Sequence, residues 1–236
     1  MEKQLGQLTD RLRKAYGDQL VGVLLYGSAT STDFNQGFSD LNVLCVLTQV
    51  GVPQLRVAEP IFHWWEELGN PAPLLLSEEE VATSTDCFAI EFHDMLDHRR
   101  VLYGRDVIEG LSIDHSFYRA QVEYELRAKL LRLRQKAGDV LDDRELLARL
   151  MADSVSTFLI LARHALKLAG LDPGASRRDT ALRLAESMAM EPTPLLTLLD
   201  FRQGTAGLHS FDASALFAQY LKLVQALVDF VDRVQK

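Results

Sequence analysis

Apolar residues recur along this chain in two distinct rhythms, and the change from one to the other divides it. Leu5, Leu8, Leu12 and Ala15 follow one another at three- and four-residue intervals and predict a short amphipathic helix that ends near Gly17. Leu20–Tyr26 is apolar at odd and even positions alike, the pattern of a strand covered on both faces, and Gly27 breaks it. A small, polar stretch over residues 29–39 leads to a second such strand at 41–47. Residues 53–68 place Leu55, Ile61, Phe62, Trp65 and Leu68 at helical spacing, with Pro60 predicting a break or kink. Residues 74–76 read as a short strand, and Ser77 followed by three glutamates reads as the start of a helix. The segment 88–95, FAIEFHDM, alternates, with Phe88, Ile90 and Phe92 on one side and Ala89, Glu91 and His93 on the other; it predicts a strand. Residues 99–103 predict another, closed by Gly104.

After about residue 110 every pattern is helical. Tyr118, Val122, Leu126, Leu130 and Leu133 mark one helix, and Leu147, Met151, Val155, Phe158 and Ala162 a second, stopped by Gly170 and Pro173. A shorter helix follows at 181–188, and Thr193-Pro194 opens another that runs through Phe201. Asp212 caps a strongly amphipathic last helix whose apolar face would permit a homodimer. The reading is an α/β domain over residues 1–110 followed by an all-α helical bundle over 111–236.

Composition narrows the function more than the fold. At 236 residues, 47% hydrophobic and 25% charged, the chain is ordinary globular material. Its net charge of −8 argues against charge-driven nucleic-acid binding and leaves room for a small basic pocket. Cys45 and Cys87 both lie in apolar segments and are expected to be buried thiols in a reducing compartment. The charged N-terminal stretch has no signal core, and the apolar run 155–171 is interrupted by Arg163, His164 and Lys167. A cytoplasmic protein without a membrane span is the expectation.

The chemistry concentrates at two strand ends. Gly27-Ser28 follows the first strand, where a glycine lets the backbone approach a phosphate and amides and the Ser hydroxyl can donate to it. No Gly-Lys-Ser/Thr follows, so this is not a Walker-type loop, and the plainer reading is a turn. After eleven intervening residues Asp40 and Asn42 open the second strand on one face. Gly27-Ser28, this spacing, Ser39-Asp40 and the apolar strand after them resemble the nucleotidyltransferase superfamily of the DNA polymerase β type. With the helical second half, the resemblance extends to small bacterial aminoglycoside- and kanamycin-type adenylyltransferases.

That resemblance implies a mixed sheet with helices, ATP or another NTP as substrate, and magnesium held by two or three carboxylates. Asp40 matches the first carboxylate; Asn42 stands where the second is expected and brings no charge. Glu91 matches the third carboxylate or the general base, with Asp94 as its alternate, and Glu125 on the first bundle helix is a further candidate base. Glu125 with Lys129 also reads as a surface ion pair. Arg99, Arg100 and Arg105 could reach phosphates or lie on solvated surface, and His93 could border the cleft. The implied reaction transfers AMP to a hydroxyl of a small-molecule acceptor. The alternative is a catalytically impaired nucleotide-binding or regulatory module.

Overall fold

A computed structural model describes residues 1–30 and 40–234. The chain forms two compact units, Met1–Phe117 and Tyr118–Lys236. The first is built from α1 (Glu2–Tyr16), β1 (Leu20–Tyr26), β2 (Asn42–Leu47), α2 (Val52–Glu67), β3 (Leu74–Ser77), α3 (Glu78–Thr83), α4 (Ala89–Asp97) and β4 (Arg99–Gly104). The strands make one mixed sheet in the order β3-β2-β1-β4, with β1 antiparallel to both neighbours and β3 parallel to β2.

The double-sided apolar pattern of β1 and β2 is realised as two cores. On one face Val23, Leu25, Val43, Cys45 and Leu47 pack with Leu5, Leu8 and Leu12 of α1 and with Ala58, Ile61 and Trp65 of α2. On the other, Leu24, Leu44 and Val46 pack with Val81, Phe92, Met95 and Ile108. Ser77 closes β3 and opens α3 through a capping box with Glu80, which satisfies two backbone N–H groups that the helix start would leave bare.

Three expectations change here. The FAIEFHDM segment is helix α4, not a strand. Eight residues fit both periods, and burial decides between them: Ala89, Ile90, Phe92 and Met95 are buried together though a strand would put Ala89 and Met95 opposite Ile90 and Phe92, while Phe88 is exposed. Pro60 lies inside α2 without ending it. Cys87, expected to be buried, is exposed in the turn before α4, whereas Cys45 is buried at the centre of β2.

The second unit contains, among the described residues, the helices α5 (Tyr118–Gly138), α6 (Arg144–Leu168), α7 (Arg177–Ser187), α8 (Thr193–Arg202) and α9 (Ala213–Arg233). Asp143, Ser176 and Asp212 cap α6, α7 and α9 with their side-chain oxygens. Two hydroxyl contacts link helices of the bundle: the Tyr118 hydroxyl is 2.6 Å from His164 Nδ1, and the Tyr220 hydroxyl 2.9 Å from Ser154 Oγ. By length and composition α9 could cross a membrane, but Leu216, Tyr220, Leu223, Leu227 and Val231 bury its apolar stripe in the unit.

Burial pushes the Cys45 thiol up to about 12 from an ordinary 9.0. The unfolded chain therefore loses this proton first, and stability falls as pH rises between those values, by about 1.4 kcal/mol per pH unit from this group. Denaturant titrations across that window should show wild type losing its advantage over Cys45→Ala; parallel curves would contradict the burial. At pH 8 a thiol-alkylating reagent should label Cys87 in the folded protein and reach Cys45 only after denaturation, as mass spectrometry of the two peptides would report.

Candidate nucleotide site

β1 ends at Tyr26, and Gly27 begins a 3-10 turn, Gly27–Thr30, with φ at +75°. A side chain is disfavoured at that φ, so the glycine is required by the backbone itself. The Thr30 hydroxyl donates to the Gly27 carbonyl at 2.9 Å and closes the turn. The Gly27 N–H donates to the His98 carbonyl at 3.1 Å, so it is held by the sheet rather than offered to a ligand. Tyr26 lies opposite Asn42 on β2 and opposite Arg99 on β4. A Cβ placed on Gly27 would sit 3.4 Å from Asn42 Nδ2, which brings the glycine turn and the Asn42 amide into contact. Asp40 is exposed two residues before β2, and Asn42 is half-buried. Ser39 and the side chain of Ser28 lie outside the described residues.

The alternation of β2 sets Asn42 on the face that carries Leu44 and Val46, the face against which α4 packs. Tyr26 packs on the same core. Its phenol is raised above the ordinary range, first by burial and then by the negative charges of Glu91 and Asp94. Glu91 and Asp94 therefore do lie near the Tyr26–Asn42 end of the sheet, reaching it from a helix instead of from the strand expected. Glu91 is exposed in the first turn of α4.

The arginines expected near phosphates are engaged elsewhere. Arg99 donates through Nε to both carboxylate oxygens of Asp106, at 3.0 and 2.9 Å, and through Nη1 to the Leu96 carbonyl at 2.9 Å, fastening the end of α4 to β4. Arg100 pairs with Glu2 at 3.0 Å, and Arg105 with Glu78. His93 Nε2 is 2.9 Å from His115 Nε2. In the second unit Glu125 pairs with Lys129 at 3.5 Å on the partly exposed surface of α5. From sequence Tyr26 is the residue before Gly-Ser and Arg99 a candidate phosphate contact or solvated surface; neither is expected to anchor this end of the sheet. The anchoring role of Arg99 had no signal, because it joins Asp106 to the end of a helix that the sequence pattern did not predict.

The donor set also bears on a metal. Among the described residues no group of three or more His, Cys, Asp or Glu side chains could hold one. One carboxylate, Asp40, and one amide, Asn42, suit an ion that arrives coordinated by a triphosphate better than a resident one. Magnesium is commonly held in that way, by one or two protein oxygens plus phosphate and water.

No protein-family model matches the sequence, and no curated protein does. Among solved structures, that of spectinomycin adenyltransferase AAD(9) from Enterococcus faecialis, with ATP and spectinomycin, superposes with a TM-score of 0.60 at 14% identity, over 99% of this chain and 100% of that one. The chain has the fold of an adenyltransferase. The nucleotidyltransferase fold and its helical companion thus agree with the resemblance carried by Gly27-Ser28 and Asp40.

Two substitutions test the local physics. Gly27→Ala should cost about 1–2 kcal/mol through the positive φ alone, measured by chemical denaturation; a neutral result would mean that the turn relaxes. Arg99→Ala should cost about 1–3 kcal/mol in the same measurement, because it leaves the Asp106 carboxylate only the Ile108 and Glu109 N–H donors and takes the donor from the Leu96 carbonyl.

Proposed function

We propose that the first unit binds ATP with magnesium at the Gly27–Asn42 end of the sheet and transfers AMP to a hydroxyl of a small molecule. The observation that carries this reading is the juxtaposition of the Gly27 turn with Asn42 at the paired ends of β1 and β2, with Asp40 leading in. The end-to-end fold likeness to an adenyltransferase solved with ATP and an antibiotic supports it. Since the Gly27 N–H is already bonded, the amides that follow it in the turn would receive the triphosphate. Asp40 and the Asn42 amide oxygen would hold the magnesium, which supplies charge neutralisation between the phosphates. Glu91, or Asp94 one turn along, would accept the proton of the acceptor hydroxyl as its oxygen bonds to the α-phosphorus and pyrophosphate leaves. The net charge of −8 favours a small acceptor over nucleic acid.

Asn42 favours a second reading, in which nucleotide is bound and turnover is impaired. A neutral amide in place of a carboxylate removes a full charge from the metal's surroundings.

ATP labelled at the α-phosphorus, with magnesium and spectinomycin as a hydroxyl-bearing probe, separates the two. On the catalytic reading wild type releases pyrophosphate and transfers label, and Glu91→Gln lowers transfer by about 10²–10⁴-fold while ATP binding persists. On the impaired reading wild type binds ATP without turnover, and Asn42→Asp gains at least about tenfold in pyrophosphate release, some 1.4 kcal/mol of transition-state stabilisation. Absence of ATP binding by wild type and Asn42→Asp alike would overturn both.

A further inference from the structure

Up to Lys129 every acid of α5 is paired: Arg119 and Arg127 both bond Glu123, and Lys129 pairs with Glu125. Beyond Lys129 the helix carries Arg132, Arg134 and Lys136 and no acid before its end. The helix dipole accounts for a cation in the last turn, but not for what these cations surround. Lys129, Arg132 and Lys136 stand on one face of α5 and line a recess of about 200 Å³ shared with α6. Leu133 and Phe158 give the recess an apolar wall. Arg132 and Lys136 make no ion pair among the described residues, although the protein as a whole is acidic.

Across the recess α6 contributes Thr157 and Asp153. The neighbouring Ser154 hydroxyl is already engaged by the Met151 carbonyl and Tyr220. The lining thus combines two uncompensated cations, an apolar wall and a single opposing carboxylate. An aminoglycoside-like polycation would be repelled by it. We propose that this recess binds a small organic anion, a phosphate or carboxylate group on an apolar body, with Arg132 and Lys136 holding the anion and Leu133 and Phe158 the body. A guanidinium suits either group, because its forked donors match two oxygens at once. Asp153 sets an upper limit on affinity, since its charge opposes the ligand's. The site lies within the helical unit and does not depend on nucleotidyl transfer.

Phenyl phosphate and benzoate are the probes, titrated into the isotope-labelled 236-residue chain at low salt and followed by amide chemical shifts. Shifts should appear along the α5 and α6 segments that line the recess, and uncharged benzyl alcohol should produce none. The tighter of the two anions identifies the group that the recess prefers. Arg132→Ala with Lys136→Ala should weaken binding by about tenfold or more, as loss of charge-assisted hydrogen bonds requires. Asp153→Asn should tighten it several-fold, an outcome that a damaged fold could not imitate. Arg134→Ala, off the recess on the same helix, should leave it unchanged, as should Asp40→Asn in the other unit. Equal weakening by Arg134→Ala, indifference to Asp153→Asn, or shifts scattered away from the recess would overturn the assignment.

Discussion

The antiparallel pairing of β1 with β2 is the constraint on which the site rests. It sets Tyr26 opposite Asn42, and the next residue, Gly27, turns away with a positive φ against the Asn42 amide. Both strands are buried on two faces, so the register is doubly specified: a slip of one residue would exchange the two cores and place Asn42 on the wrong side of the sheet. Cores that seem only to hold the unit together therefore also determine which polar atoms meet at its edge.

The second dependency runs through α4. Its Phe92 and Met95 seat it on the sheet, and Arg99 ties its last carbonyls to β4. That attachment leaves Glu91 and Asp94 near Tyr26, close enough to act on its phenol. Negative charge at this end of the sheet thus comes from a helix positioned by an arginine on the strand that follows it, in addition to Asp40 two residues before β2. The burial of Tyr26 and its proximity to two carboxylates share one cause, the packing of α4.

The sequence made the scaffold legible where one period dominated. The leucines of α1, the doubly apolar β1 and β2, and the stripes of α5, α6 and α9 are long or one-sided enough to exclude the competing pattern. FAIEFHDM was too short for that, and only the contacts of Ala89, Phe92 and Met95 settle its period. Cys87 misled for a related reason: Phe88 beside it is exposed, so an apolar neighbour in the sequence was no guide to burial. In the candidate site, Gly27, Asp40 and Asn42 were readable as candidates because they stand at the ends of two doubly apolar strands. The ties of Arg99 to Asp106 and α4 were not, because they depend on where a helix lies and leave no periodic trace.

The strand pairing that places Asn42 has one more consequence, in the chemical ageing of the protein. Asparagine becomes aspartate spontaneously when the next residue's backbone nitrogen attacks the side-chain amide and closes a succinimide ring. For Asn42 that nitrogen belongs to Val43, which is buried, β-branched and paired with Leu25 in the sheet. Ring closure would require the strand to bend where both cores hold it extended. The fold thus keeps this position an amide for as long as it stays folded, and a stored sample does not drift toward the carboxylate form on its own.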